Sequence, residues 1–169
     1  MVSLPPLRPQ VLAGRSLADA QRLVALFSAA WEMGVLSPER LRTGSIYGAV
    51  PAATYRVVVM RFFPLDRRRN TDHKWRPDLA PSWALLGQYQ RRELSWRAFA
   101  MQYLAQLDRA PAATLIRLVE WLGDIPARYP TVTFLCCEHA PGGDETRIRC
   151  HRRLLRAWLL GQAVPDVEG

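Results

Sequence analysis

Hydrophobic positions recur along the chain with two periods. Leu17, Ala20, Leu23, Val24, Phe27 and Trp31 keep helical spacing behind Ser16, which can cap a helix with Asp19 three places on, and Gly34 stops the run. Ser37-Pro38 opens a short helical turn. Ser45-Ile46-Tyr47 and the segment YRVVVMRF at 55–62 are strand-like, the second with the β-branched apolar centre of a buried parallel strand. Helices are predicted from Ser82 and from Ser95, the latter striped with Trp96, Phe99, Ala100, Tyr103, Leu104 and Leu107, and another over 112–122, ended by Pro126. TVTFLCC at 131–137 reads as a last buried strand and 150–160 as the last helix. Strands alternating with helices predict a compact, single-domain, Rossmann-like layered α/β fold: a small parallel or mixed sheet covered on both faces.

Between these elements, residues 64–81 carry Arg67, Arg68, Arg69, His73, Lys74 and Arg76 without a clear period, and are expected to be a long basic loop. Residues 1–15 read as a proline-punctuated lead-in, 16–160 as the domain and 161–169 as a tail. No internal repeat or low-complexity tract interrupts them.

Composition narrows the function classes. At 169 residues with 49% hydrophobic and 22% charged positions, the chain is long and apolar enough for one core. Pro5, Pro6 and Pro9 interrupt the apolar run a secretory signal would need, and no stretch reaches the roughly 20 apolar residues that cross a bilayer, so no membrane role is expected. Three cysteines make no disulfide framework, which points to a reducing compartment, the cytoplasm by default. The net charge is +8, and Lys74 is the one lysine among 23 basic residues. A GC-rich coding sequence accounts for the arginine excess as readily as selection does. The charge itself still favours polyanionic partners, nucleotide or nucleic acid.

The chemistry-bearing residues cluster at the C-terminal end. Strand alternation puts Cys136 and Glu138 on one face and turns Cys137 to the other. They would lie at the carboxyl edge of the sheet, where open α/β folds place ligands. A Pro141-Gly142-Gly143 loop leads to Cys150-His151-Arg152 at the head of the last helix, where Arg149, Arg152, Arg153 and Arg156 follow helical spacing as a basic stripe, while His151 falls on the apolar side. Cations in a first helical turn oppose the macrodipole, so either Glu138 or Asp144, or a bound anion, should compensate them. Cys150 near a helix N-terminus among arginines would have its thiolate favoured. Core packing is the competing reading for Cys137, Cys150 and His151. A zinc set from Cys136, His139, Cys150 and His151 lacks the usual C-x₂₋₄-C pairing, so neither metal nor cofactor is assigned.

FLCCEH at 134–139 with CHRRLL at 150–155 resembles the Cys-Glu…Cys-His-Arg signature of the domain of unknown function 488 family, which includes YeaO-like proteins. VVVMRFFP at 57–64 and LAPSWALLGQYQ at 79–90, followed by a helix containing Tyr103, agree with it, and the likeness spans about 44–160. The resemblance implies a compact α/β fold in which the Cys-Glu and Cys-His-Arg segments meet at one site of Cys136, Glu138, Cys150, His151 and Arg152, with Arg61 and Pro64 from the second strand. Met60 stands where many members carry an acid, and the loop from Glu138 to Cys150 is longer than usual. A catalytic role for that acid would make this member a binding or degenerate one.

Three functions are open on this reading. The first is binding or processing of a nucleotide or nucleic acid, with Arg61, Arg149, Arg152, Arg153 and Arg156 as anion contacts and Arg67, Arg68, Arg69, Lys74 and Arg76 on the polymer. The second is small-molecule catalysis by Cys136, Glu138, Cys150 and His151. The third is a structural or partner-binding domain. Whether the chain is an enzyme, and its oligomeric state, stay open.

Overall fold

The structure is a computed structural model that describes residues 7–64, 66 and 72–168. Four strands, β1 (Leu41–Ser45), β2 (Thr54–Val58), β3 (His73–Trp75) and β4 (Thr131–Cys136), form one sheet in the order β1-β4-β2-β3, and every pairing is parallel. Seven α-helices flank it among the described residues: α1 (Pro9–Leu12), α2 (Leu17–Glu32), α3 (Trp83–Gln90), α4 (Trp96–Asp108), α5 (Ala112–Asp124), α6 (His151–Leu159) and α7 (Pro165–Glu168). This is the α/β layering that the alternation of periods predicts, with the sheet resolved as parallel.

Local chemistry sets the helix starts. The hydroxyls of Ser16, Ser82 and Ser95 accept from the backbone N–H of Asp19, Leu85 and Ala98, each satisfying a donor that has no partner within its own helix. Gly34, with φ +72°, reverses the chain after α2 in a conformation that L side chains rarely adopt.

The two faces of the sheet are buried differently. Val57, Val132 and Phe134 join Leu23, Phe27, Leu122, Leu154 and Trp158 of the helices in the main core. Val58 and Leu135 point the other way and meet Ile46, Val50, Met60 and Phe63, which lie in connecting segments rather than helices. Both faces are covered, the second by chain running between strands. Gly44 marks that close passage: a Cβ there would meet the side chains of Leu135 and Val50 at 3.3 Å.

Several sequence expectations change in detail. The first strand is LRTGS, ending at Ser45 instead of starting there. LRTGS has little apolar alternation, and its ladder with β4 gives it order. The basic segment 64–81 is not one long loop: His73–Trp75 adds an edge strand beside β2, and a 3₁₀ turn follows at Pro77–Leu79. Arg67, Arg68 and Arg69 lie outside the described residues. The terminal segments also pack onto the domain: Val11, Val164 and Val167 are buried in the core, and Arg8 pairs with Glu168 and Asp108.

Candidate functional site

Because every strand is parallel, all carboxyl ends share one edge, and β4 in the interior brings its tail between those of β1 and β2. The backbone N–H of Ile46 donates to Cys136 C=O at 2.9 Å and that of Val59 to Leu135 C=O at 3.0 Å. The loop after β4 then returns so that Cys150, extended at φ −139° and ψ 143°, caps α6 beside the strand end it left.

Arg152 locks this return. Its side chain is fully buried, and it makes two parallel hydrogen bonds to Glu145: Nε to Oε2 at 3.0 Å and Nη2 to Oε1 at 2.9 Å. Its Nη1 donates to the carbonyl of Glu138 at 2.7 Å and, at 3.5 Å, to that of Cys136. Thr43 of β1 also donates to Glu145, at 2.8 Å. Bidentate pairing of this kind fixes orientation as well as charge.

Around this lock the reactive groups meet. Cys150 Sγ lies 3.0 Å from Glu138 Oε2 and 3.9 Å from His151 Nδ1, and the ligand atoms of Cys136, Cys150 and His151 all fall within 4.8 Å of one another. His151 Nε2 lies 2.5 Å from Val59 C=O. A carbonyl can only accept, so Nε2 carries the proton and the neutral ring turns its Nδ1 lone pair towards the thiol. Tyr103 packs edge-on to the ring at 5.6 Å and donates to Leu79 C=O at 2.6 Å. The ring is therefore held both in its plane and from the side.

The electrostatics follow. Burial by itself would raise the Cys150 thiol, but hydrogen bonding with Cys136 and the facing His151 outweigh it and bring it down to about 6. Cys136 goes well up, because the neighbouring Cys137 and Cys150 sulfurs and its burial all favour the protonated thiol, so it keeps its proton. Burial lowers His151, and the negative charge that develops on Cys150 reverses this and raises it. Glu138, raised by burial, is brought below its ordinary value by the facing Cys136 and Cys150 thiols, the second of which donates to it. The 3.0 Å contact needs a proton between sulfur and carboxylate, since two bare anions there would repel. Deprotonation puts charge on Sγ, where Cys136 and the imidazolium stabilise it.

Cys136, Cys150, His151 and Arg152 are buried, while Cys137, Glu138, His139 and Arg149 are exposed, so the solvent side of the cluster is the Glu138 edge. Cys137 departs from the strand alternation: β4 ends at Cys136, and the Cys137 thiol lies within 4.8 Å of the ligand atoms of Cys136 and Glu138. His139 faces Tyr47, ring to ring at 6.0 Å. Met60 packs against the cluster of Cys136, Ile148 and Cys150 and borders the thiols with an apolar side chain.

The arginines of α6 do not form one open stripe. Arg152 is interior. Arg153 pairs with Asp166 at 2.7 Å and donates to Thr146 C=O, and Arg156 donates to the carbonyls of Leu41 and Pro38. Their compensation comes from Glu145 and Asp166, while Asp144 accepts from Thr146 within its own loop. Arg153 and Arg156 also line, with Arg42, Glu145 and Asp166, a cavity of about 440 Å³. Arg61 donates to the carbonyls of Pro81 and Ala80, stapling the segment after β2 to the 3₁₀ turn, and Pro64 is half-buried beyond it. Arg76 pairs with Asp78 and stacks on Trp121, while Lys74 is exposed. Glu145 and the Val59 carbonyl are the working partners that sequence reasoning missed, an acid seven residues before Arg152 being the one available hint, while Tyr103 was read as part of an apolar stripe and not as a partner of His151.

Two outcomes are expected. Because the Cys150 thiol is lowered, its thiolate is complete above neutrality and lost as pH falls through about 6; the rate of iodoacetamide alkylation at Cys150, followed by peptide mass spectrometry, should halve near that pH instead of near the ~8.5 of an ordinary thiol. Arg152→Met should cost about 3 kcal/mol in urea unfolding, since it strands Glu145 and two backbone carbonyls.

No curated protein and no solved structure matches the chain. The model of the active DUF488-N3 subclade matches residues 46–163, which include every residue of the cluster, and the chain belongs to this DUF488 family.

Proposed function

We propose that the chain is an enzyme that reacts through the Cys150 thiol on an anionic substrate of the nucleotide or nucleic-acid class. The observation that carries the catalytic half is the commitment of His151 Nε2 to Val59 C=O, which leaves Nδ1 as a base facing Cys150 Sγ. The thiol S–H bond breaks, its proton passes to Nδ1, and the sulfur electron pair becomes the nucleophile. Glu138 contacts the same sulfur from the solvent edge and is placed to hold or relay that proton. Cys136 keeps its own proton as a donor to the thiolate. Nucleophile and base are thus held together at the head of α6, and the donor Cys136 is brought to them by the end of β4. The family's name calls the subclade active, which favours this reading over a degenerate member despite Met60.

The substrate half rests on charge. The chain carries +8 overall, Arg149 is exposed next to Cys150, and the cavity beside Glu145 is lined by Arg42, Arg153 and Arg156.

His151→Asn should slow alkylation of Cys150 at neutral pH by about 100-fold, the usual lower end of a general base's contribution. Equal rates in the two proteins, or a native Cys150 that never labels, overturn the catalytic half. For the substrate half, an oligonucleotide should bind at low salt, with affinity falling steeply as salt rises, and Arg42→Ala with Arg149→Ala should flatten that slope. A wild-type affinity that does not respond to salt removes the polyanion from the reading.

A further inference from the structure

We propose that Cys136, Cys150 and His151, with Glu138 at the rim, form a binding site for a divalent cation of the zinc class. The site inference stands on geometry. Its consequence, that the bound ion silences the Cys150 thiol, rests on the enzyme reading above.

The donor set is the first argument. Two thiols and an imidazole nitrogen converge within 4.8 Å of one another, all three buried, and the Glu138 carboxylate lies 3.0 Å from one of the sulfurs. Tetrahedral zinc with metal–sulfur bonds of about 2.3 Å and metal–nitrogen bonds of about 2.0 Å puts ligand atoms roughly 3.5–4 Å apart. The Cys150 Sγ to His151 Nδ1 distance of 3.9 Å is already in that range. Neighbouring residues rarely ligate together, but here the backbone changes from extended at Cys150 to helical at His151, which turns both side chains towards the same point.

The surroundings of the imidazole are the second. A metal-bound histidine almost always donates its other ring N–H to a carbonyl or carboxylate, which fixes tautomer and orientation. His151 does this through Nε2 to Val59 C=O, with Tyr103 against its ring, so its Nδ1 is presented without further rearrangement.

Charge is the third. On binding, Cys136 and Cys150 each release a proton to solvent and form a sulfur–metal bond, leaving two thiolates and a carboxylate around a dication. The nearby guanidiniums are engaged elsewhere, Arg152 with Glu145 and backbone carbonyls, Arg61 with the carbonyls of Ala80 and Pro81. Met60 and Ile148 cover the apolar side of the cluster, so the open approach is at Glu138. Soft sulfur with imidazole selects zinc-like ions over magnesium or calcium.

The test uses the full chain, stripped by chelator and titrated with Co²⁺ as the spectroscopic probe. One equivalent should give thiolate-to-cobalt charge-transfer absorbance with the visible bands of a tetrahedral site, and Zn²⁺ should bleach both. Cys136→Ser and His151→Gln, checked for folding by circular dichroism, should each weaken binding at least about tenfold, and Cys137→Ser should leave it unchanged. Zn²⁺ should slow alkylation of Cys150 about tenfold or more, reversed by chelator. A wild-type protein without the charge-transfer band overturns the site, as does a loss that follows Cys137 and spares His151. Cobalt binding without protection of Cys150 overturns the silencing alone. Binding by a protein whose metal-free Cys150 is inert leaves the metal site standing and removes the enzyme.

Discussion

The arrangement at the carboxyl edge depends on one buried guanidinium. Arg152 has no exposed surface, and its donors go to Glu145 and to the carbonyls of Cys136 and Glu138. Burying a charge is costly unless its donors are satisfied, so this position tolerates a single geometry: the end of β4, the loop carrying Glu145 and the first turn of α6 must all be in place together. A cation in the first helical turn opposes the macrodipole, and the bidentate carboxylate offsets it. The same bonds hold Cys136 and Glu138 against Cys150.

Topology supplies the rest. The interior strands of so small a sheet are buried on both faces: β4 is buried from Val132 to Cys136 and β2 at Thr54, Val57 and Val58, with the Thr54 and Thr133 hydroxyls bonded to each other at 2.7 Å. With parallel strands, their ends gather at one edge. The Val59 carbonyl that orients His151 comes from the residue after β2, whose N–H is already bonded to Leu135 of β4. The orientation of the imidazole is therefore set by sheet register, and a shift of β2 against β4 would move the proton acceptor away from Nε2.

These dependencies explain what could be read from the sequence. The caps at Ser16, Ser82 and Ser95 are local chemistry, and the runs at β2 and β4 carry their own period, so both were visible. The meeting of Cys136, Glu138, Cys150 and His151 was what the family resemblance implied, and the rule that parallel strands gather their carboxyl ends at one edge agreed with it. β1 and β3 were not visible: LRTGS and HKW have little apolar alternation and take their order from neighbours distant in sequence. Nor could spacing tell that Arg153 and Arg156 spend their donors on Asp166 and on the carbonyls of Leu41 and Pro38, since those partners come from a tail and a turn that a helical wheel does not contain. Helical spacing groups residues by face; whether a face is solvent or interior depends on what packs against it.

The position of Met60 sharpens the chemistry. It packs against both Cys136 and Cys150, and an acidic side chain there would add a second carboxylate near a sulfur that Glu138 already approaches at 3.0 Å. Another anion would raise the cost of forming the Cys150 thiolate. With Met60 the charge on the Cys150 thiolate is balanced by Cys136 and His151, and in the proposed enzyme proton handling falls to Glu138 and His151. On the proposed reading, an apolar Met60 leaves the site to sulfur and imidazole chemistry, the same bias that would suit it to a soft cation.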